Sequence, residues 1–247
     1  MSDATQHPAA EQPPPSHWQA VQQEAETWSA EQVLRWTDET YGENAAIASA
    51  FGIDGIALID MASRTWSRLR IFILDTGFLF PETYRLIEQI EQRYKVAVQR
   101  ILPAMTPAAQ ERISGPELWK RNPDLCCQLR KVDPLRQKLT SLQAWVTSIR
   151  RDQTPERSSI HKIQWDRQFR LVKINPLADW SAERVWSYIR ARELPYNSLH
   201  DRHYPSIGCT HCTRAIAPGE GSRAGRWPGF AKRECGLHLQ SRAADLP

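Results

Sequence analysis

Apolar and polar positions change period in blocks along this chain, and each change predicts an element. From His17 to Tyr41 the apolar residues recur at helical spacing. Ser29 and Gln32 stand as a capping box ahead of Val33, Leu34 and Trp36, so two short helices are expected. Ala45 to Phe51 reads as a buried strand, Gly52 to Gly55 as a turn, and Ile56 to Arg64 as a helix. Arg70 to Asp75 is strand-like again, and Pro81 suits the first turn of a helix running to about Tyr94. Lys95 to Leu102 and Ala144 to Ile149 predict a third and a fourth strand. Two further strand-like runs, Ser159 to Trp165 and Phe169 to Ile174, precede a helix capped at Ser181 and reaching about Arg192. This alternation predicts an α/β fold, a parallel sheet with helices on both faces.

The ends break the pattern. Residues 1–16 are rich in Pro, Gln and Ala with hardly a large apolar side chain, which predicts a flexible leader. Beyond Leu194 the periodicity stops, and prolines and glycines from Pro195 to Gly236 exclude a continuous element. The expected organisation is one folded domain over 17–215 and an irregular, mobile Gly/Pro-rich tail over 216–247.

Composition narrows the class. No apolar run reaches the roughly 20 residues needed to span a bilayer, and the segment Met1 to Pro8 has no basic, apolar export signal. A cytoplasmic protein without a membrane partner is expected. The formal charge of +4 is small and spread along the chain, which suits a small anionic ligand better than a nucleic acid.

Five cysteines in a reducing compartment point to metal ligation or catalysis rather than to disulfides. Cys126-Cys127 and Cys209-Thr210-His211-Cys212 form two distant pairs that read as four thiolates around a soft metal; the bland alternative is cysteines packed as small hydrophobes. Adjacent cysteines chelate a single zinc ion only with strain, whereas an iron–sulfur cluster offers separate corners, so a [4Fe-4S] cluster is favoured. Cys235 is left over. Lys232, Arg233 and His238 flank it, a setting that favours the nucleophilic thiolate. In Gly221 to Trp227, Arg223 and Arg226 are placed to grip phosphate or sulfate oxygens, although a solvated basic loop explains that segment alone equally well. The Ser49 to Gly55 turn between strand and helix, and Leu74-Asp75-Thr76-Gly77 at the end of the second strand, lie where α/β sheets bind anions and nucleosides; plain turns are the alternative.

Taken together, these motifs resemble the sulfonucleotide reductases, in particular the adenylylsulfate reductases of bacterial and plant type. The resemblance is carried by Leu74 to Gly77 with Pro81-Glu82-Thr83-Tyr84, Cys126 to Lys131, Arg150 to Gln153, Cys209 to Cys212 and Glu234 to His238, and it covers nearly all of the chain after the leader. It implies an adenine-nucleotide α-hydrolase-like fold and one [4Fe-4S] cluster per subunit on Cys126, Cys127, Cys209 and Cys212. It also implies reduction of adenylylsulfate to sulfite and AMP through an S-sulfocysteine on Cys235, released by thioredoxin or glutaredoxin through a tail that opens. Lys131 would sit between cluster and substrate. Arg151, Arg223 and Arg226 would hold the phosphosulfate, and Ser49, Gly52, Asp54, Asp75 and Thr76 would surround the nucleotide. The sequence departs from the family at Asp54-Gly55, where members carry Glu-Asp. The same chemistry on the 3′-phosphorylated substrate, and a homo-oligomeric assembly, are both compatible with it. Two rivals stand beside it. An ATP-using enzyme of the same fold would need a Ser-Gly-Gly-x-Asp-Ser loop that Phe51, Ile53 and Gly55 interrupt, and a zinc-stapled nucleic-acid-binding module would show steep salt dependence.

Overall fold

The computed structural model describes residues 15–238, with side chains from Gln19 onward. Among the described residues six strands form one sheet in the order β3-β2-β1-β4-β6-β5. They are β1 (Ala45–Ala48), β2 (Ile71–Leu74), β3 (Val98–Ile101), β4 (Ala144–Val146), β5 (Ile163–Asp166) and β6 (Leu171–Ile174). The first helices are α1 (Pro15–Ala25), α2 (Ala30–Tyr41), α3 (Ile53–Thr65) and α4 (Pro81–Tyr94). Between β3 and β4 lie α5 (Pro107–Ser114), α6 (Leu118–Arg121), α7 (Pro123–Cys127), a π-helical turn Gln128–Val132 and α8 (Asp133–Leu139); α9 (Ala182–Ala191) follows β6.

Side-chain alternation along the strands supplies two cores, one per face. Ala45, Ile47, Ile71, Ile73, Ala144 and Val146 join Ile56, Leu58 and Ile59 of α3, Leu86, Ile87 and Ile90 of α4, and Val185 and Ile189 of α9 in the larger core. The residues between them, Ala46, Phe72 and Trp145, face Leu135 and Leu139 of α8. Helices therefore cover both faces, as expected for a largely parallel sheet. Ser29 caps α2 through the reciprocal box with Gln32, at 3.2 and 2.7 Å.

Three details depart from the sequence expectation. β5 pairs with β6 antiparallel, because the four residues between them allow only a hairpin and a parallel crossover needs a dozen or more. The expected turn over Gly52 to Gly55 is mostly helix: α3 begins at Ile53 with Gly52 as its N-cap. Four short helices between residues 107 and 139 were not anticipated; prolines at the first turns of α5, α7 and α8 start these three and also interrupt any longer periodic signal. Of the expected leader, only Pro15 and Ser16 are described, as the opening of α1, and the rest lies outside the described residues. No helix among the described residues is long and apolar enough to cross a membrane.

Candidate active site

β1 connects to β2 and β3 on one side, while β4, β6 and β5 extend on the other, so the topology switches between β1 and β4. Open α/β sheets place their ligand crevice at the carboxyl ends of the strands at such a point. Here a cleft of about 390 Å³ opens there, walled by the segments after β1, β2 and β4. It brings together Ser49, Gly52, Asp54, Thr76, Lys131, Arg223, Arg226, Cys209 and Cys235, which the chain spreads over nearly 190 positions.

One end of the cleft is shaped by the approach to α3. Phe51 takes a left-handed conformation at φ 56°, and its N–H donates to Ser49 Oγ at 3.0 Å. Gly52 offers no side-chain cap, so the first N–H groups of α3 remain free to meet an anion. Asp54 is occupied instead: Arg150 and Gln153 (3.0 Å) both donate to its carboxylate, and Arg150 also reaches Asp152 at 2.9 Å.

The thiols gather at the other end. Cys126 and Cys127 close α7, and Cys209 to Cys212 form a 3₁₀ turn pinned to the segment after β2 by Thr210 N–H to the Phe78 carbonyl, 2.8 Å. All five thiols are free; Cys126, Cys127, Cys209 and Cys212 are buried and Cys235 is half-buried. Cys127, Cys209 and Cys212 pack in one cluster with Trp227, and Cys235 lies against it. Burial, with Cys127 and Cys209 adding to it, pushes the Cys126 thiol up to about 11, and burial with Cys209 pushes Cys212 up to about 12. Among the described residues no three His, Cys, Asp or Glu side chains form a ready site for a metal ion. The surroundings are nevertheless set for an anionic group. Arg130 is buried and spends Nη1 on the Thr76 carbonyl at 2.8 Å, while its Nε and Nη2 find no hydrogen-bond partner, and the thiols of Cys126 and Cys209 lie beside it. Four buried thiols beside two unspent guanidinium donors fit a thiolate-ligated group of net negative charge.

Cys235 stands between the two ends, and the tail that carries it is held down on both sides. Arg157 donates bidentately to the neighbouring Glu234, at 3.0 and 2.7 Å, with Thr154 at 3.3 Å on the same carboxylate; this ion pair is buried. Lys232 pairs with Asp124, Gln168 donates to the Gly236 carbonyl at 3.0 Å, and Leu237 joins the α8 core. His238 stacks on Trp145 at 5.6 Å; burial, then the charges of Lys173, Arg157 and Arg223, hold it neutral. The cations near Cys235 include Lys131, Lys173 and Arg223. Its sequence neighbours are turned elsewhere, Lys232 to Asp124 and Arg233 to Glu156. Burial works to lower the Lys131 ammonium, and Cys209, Cys235 and Cys127 outweigh it, so its pKa is raised. Arg223 and Arg226 converge on Ser206 Oγ at 3.5 and 3.1 Å, and Arg226 Nε is left without a partner.

Two expected residues do not line the cleft. Asp75 is buried and accepts from Gly77 N–H (3.0 Å) and Tyr84 O–H (2.7 Å), bracing the turn after β2. Arg151 reaches Glu26 at 2.5 Å and the Ile160 carbonyl at 2.9 Å; its neighbour Arg150 occupies the cleft wall instead. Arg130, Arg150, Arg157, Lys173 and Glu234 were missed as site residues. Arg130 sits in the Cys126 to Lys131 motif, and Glu234 beside Cys235, so their proximity to singled-out residues was the one available signal. Lys173, at the end of a strand-like run, gave none.

The family model of the phosphoadenosine phosphosulfate reductase domain matches residues 44–215. A Bacillus subtilis protein named adenosine 5′-phosphosulfate reductase 2 is 48% identical over 209 residues, 84% of this chain and 89% of that one. A Gloeobacter violaceus protein named phosphoadenosine 5′-phosphosulfate reductase is 44% identical over 216 residues, 86% of this chain and 90% of that one. The crystal structure of phosphoadenylyl-sulfate reductase from Candida auris, a phosphate complex, superposes with a TM-score of 0.73 at 28% identity, covering 82% of this chain and 98% of that one. With a matched domain over most of its length and relatives this similar along nearly all of theirs, the chain belongs to the phosphoadenosine phosphosulfate reductase family.

Proposed function

We propose that this protein reduces adenylylsulfate to sulfite and AMP in the cytoplasm, as a step of assimilatory sulfate reduction toward cysteine, with thioredoxin or glutaredoxin as reductant. The observation that carries the reading is the position of Cys235. It lies in the wall of a nucleotide-sized cleft that also holds the open start of α3, Lys131, Arg223 and Arg226.

The nucleotide lies across the carboxyl ends of β1, β2 and β4, with its phosphosulfate toward Arg223, Arg226 and Lys131. The Cys235 thiolate attacks the sulfate sulfur; the bond from that sulfur to the phosphate oxygen breaks, AMP leaves with the electron pair, and an S-sulfocysteine remains. Lys131 and the two arginines offset the repulsion between an anionic nucleophile and an anionic substrate, and preorganised donors of this kind also stabilise the leaving phosphate. The unspent Nε of Arg226 is available for that role. Neutral His238, stacked on Trp145, fixes the end of the tail instead of adding charge. Cys126, Cys127, Cys209 and Cys212 would hold one [4Fe-4S] cluster per subunit, a group that would supply a local field beside Lys131 without cycling electrons.

Anaerobic incubation with adenylylsulfate in the absence of any thiol tests the reading: mass spectrometry should find a sulfonate adduct on the Cys235 peptide and none after Cys235→Ser. A parent protein that stays unmodified with its cluster intact refutes it. A second substrate, the 3′-phosphorylated nucleotide, is kept in view because the Gloeobacter violaceus relative bears that name at 44% identity. The same incubation with it decides the preference.

A further inference from the structure

Three aromatic rings meet beside the buried cysteines. Trp119 of α6 lies flat on His211, with ring centroids 3.9 Å and planes 11° apart, and Phe78 meets the two edge-on at 5.4 and 4.8 Å. Phe78 and Trp119 pack against the group formed by Cys127, Cys209, Cys212 and Trp227. None of the three rings lines the nucleotide cleft, and of the four buried cysteines only Cys209 does. His211 is exposed and Trp119 half-buried, so the stack stands between the thiols and solvent on a side the cleft does not use. We propose that the Trp119–His211 stack is a gate: iron and small reagents reach the four cysteines when it opens, and its closure shields them while the cleft works elsewhere. The inference rests on the reading that these cysteines hold a cluster, and it assigns the way in and out.

The parts of the cover are held unequally. Phe78 is fixed, because its carbonyl accepts from Thr210 N–H at 2.8 Å and the buried Arg130 guanidinium lies over its ring at 4.6 Å. Trp119 sits on a single helical turn that follows two left-handed backbone positions, Gly115 at φ 77° and Glu117 at φ 51°. Leu118 is buried and pins that turn, so the gate opens by rotation of the indole about its own side-chain bonds while α6 stays in place. Such a motion parts one stacked pair and leaves the packing of the sheet untouched.

Charge favours the same side. The cleft presents Lys131, Arg223 and Arg226, a wall that repels ferrous ions. The charged groups around His211 are Glu117, Lys120 and Glu111, together one net negative charge that draws cations toward the stack.

The test compares Trp119→Ala and His211→Ala with Trp119→Phe, which keeps a ring over the thiols. In cluster-loaded protein held without oxygen, iron release to EDTA should be about tenfold faster in both alanine variants and within about twofold of the parent in Trp119→Phe. Protein stripped of its cluster and then given ferrous iron and sulfide should reload faster in the same two variants and reach the parental iron content, because a gate changes both rates and not the final occupancy. Parental rates in both alanine variants overturn the gate. Faster release with a lower final iron content also overturns it, since that pattern marks rings that merely support the site. A parent that binds no cluster refutes the cofactor reading separately, and the route is then decided by alkylation. Iodoacetamide should label Cys126, Cys127 and Cys212 of cluster-free protein about tenfold faster in Trp119→Ala than in the parent, and equal labelling overturns the route.

Discussion

Gly55 lies one turn into α3, where a Cβ would come within 2.4 Å of Ser49 Oγ, the atom that accepts the Phe51 N–H. The absent side chain lets the helix press against the loop that shapes the anion end of the cleft. Gly55→Ala should therefore destabilise the protein by about 1–3 kcal/mol through overpacking, despite the better helix propensity of alanine. Adding Ser49→Ala removes the clashing oxygen, so the double variant should regain part of the loss in thermal unfolding; a double variant no better than Gly55→Ala alone would place the strain elsewhere. Lys173 yields a pH prediction. Burial, opposed by Asp166 at 3.8 Å, lowers its ammonium from the ordinary 10.5 to about 8. Between those values the unfolded chain binds more protons than the folded one, so this residue makes stability rise with pH across that window, and below about 8 its full cost is present. Urea unfolding of the parent and Lys173→Met at pH 8 and pH 10 should show the difference moving in favour of the parent at the higher pH. A constant difference would mean that Lys173 does not titrate there. Residues of this kind also mark the limit of what the sequence reveals. Four paired cysteines and a fifth are conspicuous because few other roles need them, but arginines are common and their duty depends on phase. Just beyond β4 a shift of one residue separates Arg150 in the cleft from Arg151 on Glu26, and no spacing rule resolves it.

At the scale of elements, the tail owes its order to contacts with segments far away in the chain, above all Arg157–Glu234. Removing Arg157 leaves the buried Glu234 carboxylate with only the longer ion-pair contact to Arg223 at 3.7 Å, a loss of up to about 3–5 kcal/mol. Arg157→Met should thus release residues 216–238 to limited proteolysis while the sheet stays intact, and should slow adduct formation because Cys235 loses its position. Arg157→Met combined with Glu234→Leu leaves neither charge exposed to the interior, so its tail should resist protease better than the single variant's. Equal cleavage in both would show that other contacts close the tail. The same long-range character explains which elements were legible. β1, β2, β4, α2, α4 and α9 declare themselves through short continuous apolar runs or through apolar positions three and four apart. The helices from α5 to α8 are four to eight residues long, three of them started by proline, too short for a period to emerge. The tail has no period at all, and its place against α8 and Trp145 depends on Leu237 and His238 meeting partners that local pattern does not name.

For the whole molecule, the decisive feature is that the four cysteines come from two segments more than eighty positions apart, α7 and the turn Thr210–Cys212, whose nearest attachment to the sheet is the stretch after β2. A cluster bound by all four would staple residues 209–238 to the sheet through Thr76, whose hydroxyl lies 3.3 Å from Cys209 Sγ and whose carbonyl accepts from Arg130. Without it, burial keeps the Cys126 and Cys212 thiols protonated at neutral pH, and Arg130, beside Cys126 and Cys209, keeps two donors unspent. Metal binding that orders a site adds directly to folding free energy. Removing iron by oxidation and chelation should thus lower the unfolding midpoint by about 5 °C or more for a chain of this size. It should also speed amide hydrogen exchange over residues 209–238 while leaving β1 and the interior of α3 protected, because their core lies on the far side of the sheet. Exchange over 209–238 that does not respond to chelation would separate the thiols from any shared group and leave them as packed cysteines. A response that spreads evenly over the sheet would instead mean that the group holds the whole fold and not the closure of its active site.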